Sequence, residues 1–568
     1  MPTPARAAVV AALLALFAGL AGVFTLPVLD RDEARYAQAA AQMIESGNFV
    51  EIRYLDVPRN KKPVGIYWMQ AAAVALVSSE EARAIWAYRL PSLLGAALAA
   101  AFAALAAGRL YGGRAALGAG ATLAVGVLLG TEAGIAKTDA VLTASCAAAF
   151  YAFVRLRLAF DLTDPTARRN GGRAWAAAWW AAVGIGALIK GPVAPVAAGL
   201  AVLALAGLER RWRWALPLAF WPGPLLAALI VAPWLVAVQL MTEGGFLAGA
   251  IGGDLAPKIV SGDEGHGAPP GLHLLLLPVL FFPAIVFLPA GVRAAIKDWR
   301  ASSDPAARRA GLAAKLVIAF AVPIWIAFEL LPTKLPHYVL PAYPALAVLA
   351  GLGFARLSET APLWRWTGAA LLLAGALALA VAMRWVPAGY GGPEGAAWWL
   401  SSALLLAAVI TAVTAGRRRP GAALIAAVAT GLVFHVAVRG VIVPGASDLF
   451  LSPPAAGIAL ERTANGAPLY STYTEPSFAF LTGGDLTLTG PAAVTAEPPP
   501  APFVLAVDTA RWLEGAQTED ERETRQAALD RLTETACAVD LVEGFNYSRG
   551  DPTSILILDH ACAQEPRP

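Results

Sequence analysis

Residues of the types used in acid–base chemistry and in anion binding are concentrated between Leu29 and Trp68. The carboxylates Asp30, Asp32 and Glu33 come first, and the cations follow at Arg53, Arg59, Lys61 and Lys62. A carboxylate can take a proton from an attacking hydroxyl, and fixed cations can stabilise negative charge that develops on a phosphate. The alternative is a solvated loop, and the choice depends on where this stretch lies relative to a membrane.

A short amphipathic helix must position these side chains. Small apolar residues recur at helical spacing from Ala37 to Ile44, with polar residues on the opposite face. Asp32 is placed to cap the first turn, and Arg35 and Tyr36 follow on the same face. We therefore expect a helix at the membrane interface that presents these three residues together.

The composition is that of a polytopic membrane protein. The chain has 568 residues, of which 58% are hydrophobic and only 15% are charged, and its mean hydropathy is +0.60. Soluble globular proteins are less apolar than this. The net charge of +3 indicates no particular partner; we expect contacts with membrane lipids and none with nucleic acid.

About thirteen apolar segments are long enough to cross a bilayer, which takes about 20 residues each. They are 7–29, 83–107, 115–131, 140–158, 175–190, 191–207, 214–240, 271–292, 312–331, 338–355, 367–386, 396–416 and 421–440. Alternate connections between them are rich in arginine and lysine, and the positive-inside rule places those connections in the cytoplasm. An odd number of spans then places the C-terminal region outside, on the periplasmic face of a bacterial inner membrane.

The stretch 30–82 lies on the same outer face, where the positive-inside rule makes cations uncommon. Cations kept there indicate an anionic partner such as a phosphate, with lipid headgroups as the alternative. Other connections on this face add residues of the same kind, namely Lys137, Asp139, Lys190, Lys334, His337 and Tyr338. Each lysine alone could be snorkelling to the interface, but together they predict a site with lysine as its common element.

A glycine-rich loop, 241–270, follows on the outer face and has the length and flexibility of a lid that orders over a substrate. Its candidate functional residues are Lys258, Glu264 and His266. The loop's Asp263, Glu264 and His266 could bind a divalent metal, although a solvated polar loop is the better interpretation. We assign no metal ligand and no cofactor.

Several motifs in this order resemble the GT-C superfamily of membrane glycosyltransferases, in the branch of the protein O-mannosyltransferases and the lipid A aminoarabinose transferase. They are DEARYA at 32–37, KKPVGIYW at 61–68, the Asp of KTDAVL, LIKGP at 188–192 and KLPHYVLPAYPAL at 334–346. The resemblance covers roughly residues 7–445. It implies an enzyme that moves a sugar from a polyprenyl phosphate donor to an acceptor on the periplasmic face.

By motif position, the resemblance implies that Asp32 is the general base or acceptor-orienting group and that Asp139 is a second aspartate of the same cavity. It also implies that Lys62 contacts the donor phosphate and that Lys334 and Tyr338 lie near the donor headgroup. We expect a wider set to bind the donor phosphate or substrate: Arg35, Tyr36, Arg59, Lys61, Lys62, Lys190, Lys334 and Tyr338.

Two positions depart from the family pattern. Val64 replaces the second proline of the Lys-Pro-Pro element, a mild change. Lys61 replaces a residue that is often Glu in the aminoarabinose transferases, where it is associated with a metal that a loop histidine also binds. A carboxylate–histidine metal site at that position is therefore not expected, although His266 remains in the loop.

After the last span the sequence becomes polar and rich in turns. Short apolar and alternating segments predict strands, and 519–536 predicts an amphipathic helix. We interpret 1–443 as a transmembrane catalytic domain and 444–568 as a small periplasmic α/β domain that either recognises the acceptor or caps the cavity. Cys537 and Cys562 could form a disulfide outside the cytoplasm.

The sequence thus predicts an all-α polytopic protein of GT-C type with periplasmic juxtamembrane helices and a small C-terminal α/β domain. Its predicted function is transfer of a sugar to lipid A, another glycolipid, a polysaccharide or a protein. A transporter or flippase of a lipid-linked substrate is the main alternative, but such proteins usually place ionisable residues near the bilayer midplane and contain repeats. A noncatalytic envelope-assembly protein is the other.

Overall fold

Helices make up most of the fold in the computed structural model, which describes residues 2–257, 267–300 and 304–561. The helices before the C-terminal region are α1 Pro4–Leu20, α2 Asp32–Ser46, α3 Gly65–Val77, α4 Ile85–Tyr111, α5 Gly113–Ala124, α6 Val127–Ala133, α7 Asp139–Ala159, α8 Pro165–Lys190, α9 Val193–Glu209, α10 Pro222–Met241, α11 Gly245–Leu255, α12 Leu272–Leu280, α13 Leu288–Arg300, α14 Pro305–Leu330, α15 Tyr343–Ala355, α16 Pro362–Tyr390, α17 Glu394–Gly416 and α18 Pro420–Ala437. Short 3₁₀ segments include Arg213–Ala219 and Pro336–Ala342.

Fewer continuous spans are present than the sequence pattern predicts. Within the described ranges, 8 helices are long and apolar enough to cross a membrane, or 9 if α5 and α6 form one bent span. The expected count of about thirteen is therefore not confirmed. Predicted span 115–131 bends by 57° between α5 and α6. Predicted span 271–292 is divided between α12 and α13 around Pro283, a residue that has no N–H to donate to a continuing helix.

Small residues let the helices that carry the predicted site pack closely. A Cβ at Gly95 of α4 would lie 2.8 Å from the backbone nitrogen of Val141, near the start of α7. A Cβ at Gly65 of α3 would lie 2.7 Å from the carbonyl oxygen of Leu188 in α8. Glycine is the residue that permits such backbone contacts between membrane helices. The two contacts let α4 pack on the start of α7 and the start of α3 pack on the end of α8.

The predicted interfacial helix is present as α2, but Asp32 does not cap it. Asp32 is the first helical residue, and the N-cap is Arg31 with a φ of 63° and no side-chain capping bond. Glu33 anchors the helix instead: its carboxylate accepts bonds from the Arg89 guanidinium at 2.8 and 2.9 Å and from the Ala136 amide at 2.7 Å. This buried pair fixes the start of α2 against α4 and the chain that leads into α7.

The strands of the C-terminal region form one mixed sheet of five strands. A separate hairpin is formed by two short strands, β1 Arg53–Tyr54 and β2 Val57–Pro58. The C-terminal sheet has the order β4-β3-β5-β7-β6, with β3 Leu469–Ser471, β4 Thr487–Leu488, β5 Val504–Asp508, β6 Ala538–Asn546 and β7 Asp551–Asp559. Its flanking helices are α19 Ser452–Arg462, α20 Pro476–Leu481, α21 Pro491–Ala496, α22 Thr509–Trp512 and α23 Glu519–Thr535. The expected small α/β region is thus present.

The C-terminal region docks on the start of α2. The carboxylate of Asp30 accepts a bond from the Ser477 amide at 3.0 Å, and the Asp30 amide donates to the Tyr547 hydroxyl at 2.6 Å. Burial raises the pKa of Asp30 to about 6, although the bonds from Ser477 oppose that rise. Cys562 lies outside the described residues, so its pairing with Cys537 stays a prediction.

Candidate active site

Two cavities meet beside the N-terminus of α7. One is a polar chamber of about 780 Å³ lined by Asp32, Arg35 and Tyr36 of α2 together with residues from several other elements. The other is a mostly apolar groove of about 560 Å³ between α8, α9, α10, α11 and α14. Seven residues line both cavities: Lys61, Lys62, Asp139, Lys190, Asp254, His337 and Tyr338. The junction therefore carries three lysines between a polar space and an apolar one.

A buried cluster of charges surrounds Asp139 at this junction. The Lys190 ammonium lies 2.6 Å from Oδ1 of Asp139, and the Lys137 ammonium lies 3.8 Å from Oδ2. Lys137 also pairs with Glu132 at 3.0 Å. Burial alone would lower the pKa of Lys137, but Glu132 and Asp139 raise it overall, so Lys137 stays charged. His337 lies 3.9 Å from Asp139.

Asp32 faces the polar chamber and is held in its ionised form. Enclosure by the protein would by itself raise the pKa of Asp32, but the charges of Lys137 and Arg59 lower it overall. The Arg59 guanidinium lies 5.5 Å from the Tyr36 ring centroid and donates to the Tyr67 hydroxyl at 3.2 Å. Tyr36 and Tyr67 thus hold the Arg59 guanidinium near Asp32, and the attraction between a cation and an aromatic ring contributes to this placement.

Lys62 is oriented by the loop that the sequence predicts as a lid. Its ammonium forms an ion pair with Asp254 of α11, and Asp254 is itself buried. This contact closes α11 over the junction between the two cavities. The predicted lid residues Lys258, Glu264 and His266 lie outside the described residues, and their roles stay predictions.

Lys334 is placed differently from the prediction. Its ammonium donates to the carbonyl oxygens of Ala268 at 2.8 Å and Leu331 at 2.5 Å, and it lines neither cavity. Leu331 lies directly after α14 and Ala268 lies shortly before α12, so Lys334 joins these two segments and does not face the cavities. Tyr338, from the same motif, does line both cavities.

The described part of the chain contains no group of three or more metal-ligating side chains. The position where some family members have a metal-associated Glu is Lys61, whose cation lines both cavities. A cation does not fit the role of a metal ligand.

Three charged residues of the site were not among the candidates that the sequence patterns gave. Glu132, Asp254 and the C-terminal Arg549 all contact the charged groups of the junction or line the chamber. Charge at membrane depth could have indicated Glu132, whereas Arg549 follows an exposed strand and gives no such signal. Thr474 and Glu475 also line the chamber, and Glu475 accepts a bond from Arg549 at 3.0 Å.

The comparisons with known proteins agree with this architecture. The family model described as dolichyl-phosphate-mannose-protein mannosyltransferase matches residues 61–236. The crystal structure of ArnT from Cupriavidus metallidurans in the apo state covers 98% of both chains with a TM-score of 0.73 at 21% identity. The chain therefore shares the GT-C fold of ArnT. Archaeal oligosaccharyltransferase AglB from Archaeoglobus fulgidus shares it more distantly, with a TM-score of 0.52 at 12% identity over 99% of this chain and 74% of that one.

Relatives in sequence come from the same branch of the GT-C fold. Undecaprenyl phosphate-alpha-4-amino-4-deoxy-L-arabinose arabinosyl transferase 1 of Pseudomonas fluorescens is 28% identical over 56% of this chain and 54% of its own length. The enzyme of that name from Pseudomonas paraeruginosa is 28% identical over 62% of this chain and 60% of its own. The matched region thus spans a little over half of these relatives. The resemblance drawn from the motifs is confirmed. The apolar helices indicate a multi-pass membrane protein.

Proposed function

We propose that this protein is a glycosyltransferase that takes a sugar from a polyprenyl phosphate donor and transfers it to an acceptor at the periplasmic face. The observation that carries the proposal is the junction of a polar chamber and an apolar groove at Lys61, Lys62 and Lys190. The groove, the lysines and the chamber follow one another in the order of the three parts of a lipid-linked sugar phosphate, which are an apolar chain, an anion and a polar sugar.

The donor fits these cavities in one orientation. Its prenyl chain would lie in the groove against Trp234, Phe246 and Phe328, all of which line that space. Its phosphate would then meet the three lysines at the junction, and its sugar would enter the polar chamber. Lysine binds phosphate as a compact point charge, and a poorly hydrated setting strengthens each such contact.

The chamber also contains the groups that a displacement reaction requires. An acceptor oxygen attacks the anomeric carbon, the bond from that carbon to the phosphate oxygen breaks, and the phosphate leaves with the bonding electron pair. Asp32 takes the acceptor's proton, for which its ionised state is required. The lysines stabilise the charge that develops on the phosphate.

The acceptor reaches Asp32 from the side of the C-terminal region. Thr474, Glu475 and Arg549 line the chamber there, so we infer that this region contributes to acceptor recognition. The resemblance favours a glycolipid such as lipid A, with a polysaccharide or a protein as the other classes.

Mass spectrometry of envelope lipids and glycans tests the proposal. We would compare cells that carry the wild-type chain, an Asp32→Asn variant or no copy. A sugar-sized mass increment should be missing in both the variant and the null strain while the variant protein remains in the membrane. If the variant keeps the increment, Asp32 is not the base, and if all three strains match, transfer is the wrong function.

A further inference from the structure

A third cavity, which we call the basic pocket, opens at the other end of the bundle. Asp139 begins α7 at the candidate site, and Arg157, which lies near the far end of that helix, lines the basic pocket. A helix of this length separates its ends by about 30 Å. The pocket has a volume of about 940 Å³, and it includes the ends of α4 and α9 and the start of α14. It lies on the face that the positive-inside rule places in the cytoplasm.

The charge of the basic pocket is strongly positive. Its charged residues are the cations Arg109, Arg155, Arg157, Arg308, Arg309 and Lys315 and the carboxylates Asp161 and Glu209. Both carboxylates pair with Arg157, at 3.0 Å to Asp161 and 2.9 Å to Glu209. Within the described ranges, the other five cations form no ion pair with a carboxylate, so the pocket presents their charge to whatever enters it.

Aromatic residues indicate that the pocket lies at the edge of the bilayer. The Arg155 guanidinium lies 4.0 Å from the Trp175 ring centroid and donates to the Tyr151 hydroxyl at 2.8 Å. Trp299 lines the pocket as well, beside the apolar Leu158, Leu162 and Leu312. Tryptophan is enriched at the level of lipid headgroups. Cations and apolar side chains therefore meet in one concave space at that level.

We propose that the basic pocket binds the headgroup of an anionic phospholipid from the cytoplasmic leaflet. The positive-inside rule requires arginine and lysine on this face, but it does not require them to converge from three helices on one cavity. Basic pockets between membrane helices on the cytoplasmic side suit headgroups with more than one phosphate. Five cations without a carboxylate partner match such a diphosphate headgroup, as in cardiolipin, better than a single phosphodiester. This proposal does not depend on the transfer reaction.

Native mass spectrometry of the detergent-solubilised full chain tests the proposal. The probes are cardiolipin, phosphatidylglycerol, phosphatidylcholine and inorganic phosphate. The wild-type chain should retain one cardiolipin in preference to phosphatidylcholine. An Arg109→Gln/Lys315→Gln variant should bind cardiolipin about tenfold more weakly or worse, since each cation at a membrane surface adds to such binding. The matched control is Arg417→Gln/Arg419→Gln, which removes two exposed cations of the same face from outside the pocket.

A second pocket variant keeps the test decisive if the first does not fold. Arg308→Gln/Arg309→Gln changes two exposed side chains, and it should weaken cardiolipin binding while the melting temperature stays that of the wild type. Equal cardiolipin binding by the wild type and a folded pocket variant overturns the proposal. Equal retention of phosphatidylcholine also overturns it. If inorganic phosphate displaces cardiolipin at equal concentration, the ligand is a soluble anion and the lipid assignment is wrong.

Discussion

The Lys190 ammonium lies 2.6 Å from Oδ1 of Asp139, and this ion pair joins the last residue of α8 to the first residue of α7. Both residues line the chamber and the groove. Lys190 also lies 5.9 Å from the Tyr338 ring centroid. Asp139 therefore holds a lysine at the point where a donor phosphate would enter.

We expect Lys190→Met to lower the rate of sugar transfer by about a hundredfold or more, because removing a preorganised group that stabilises developing charge has effects of that size. The rate would be measured as product per unit of membrane protein by mass spectrometry. Lys297→Met is the control, since that lysine is exposed on α13. Unchanged transfer in the Lys190 variant would exclude the lysine from donor binding.

Asp32→Asn should lower transfer by roughly a hundredfold to ten-thousandfold, the usual contribution of a general base. Donor binding should persist, because the lysines of the junction are untouched. Asp56→Asn changes an exposed carboxyl of the same loop and should leave transfer unchanged. A loss of donor binding together with activity would instead assign Asp32 a role in holding the cations.

Filling the apolar groove should weaken donor binding. Ala250 lines the groove, and Ala250→Phe would place a ring where the prenyl chain is expected. We predict a higher KM for a long-chain donor and a smaller change for a short-chain analogue, which needs less of the groove. Ala248→Phe, at an exposed position of the same helix, serves as the control. Equal KM values for the two variants with the long-chain donor would contradict this use of the groove.

The burial of Asp30 against the C-terminal region should make stability depend on pH. The folded pKa of Asp30, about 6, lies above its ordinary value of 3.8. The stability contributed by protonated Asp30 is therefore fully present below about pH 4 and is lost as pH rises through about 6. The shift corresponds to about 3 kcal/mol at most.

Asp30→Asn cannot ionise but keeps an oxygen that accepts the Ser477 amide bond. Its melting temperature relative to the wild type should thus rise between pH 4 and pH 7. A difference in melting temperature that does not change over this range would show that Asp30 does not titrate at the interface.

Arg549 offers a test of acceptor recognition by the C-terminal region. Its guanidinium donates to Glu475 at 3.0 Å and lines the chamber. Arg549→Gln should raise the KM for the acceptor about tenfold, as for loss of a charge-assisted contact, and should leave the KM for the donor unchanged. Arg522→Gln, on the exposed face of α23, is the matched control. A change confined to the KM for the donor would show that Arg549 contacts the donor and not the acceptor.

Local patterns in the sequence were sufficient for the membrane class, the helix α2 and the residues of the junction other than Asp254. The length of an apolar segment indicates whether it can cross a bilayer, and a lysine on the outer face departs from the positive-inside rule. Both signals can be read from the sequence alone. The count of spans was not visible, because short breaks such as Pro283 decide whether one apolar segment forms one helix or two.

Tertiary structure decided which charged groups meet. Lys62 and Lys334 both belong to lysine–proline motifs, yet Lys62 pairs with Asp254 at the junction and Lys334 donates to two carbonyl oxygens away from it. Sequence alone determined that this chain is a membrane protein with a set of cations and carboxylates, which the positive-inside rule predicts to face the periplasm. Only the fold decided that Arg549, more than 500 residues from Asp32 along the chain, lines the same chamber, because contacts between distant segments depend on how the helices pack and leave no periodic signal in either segment.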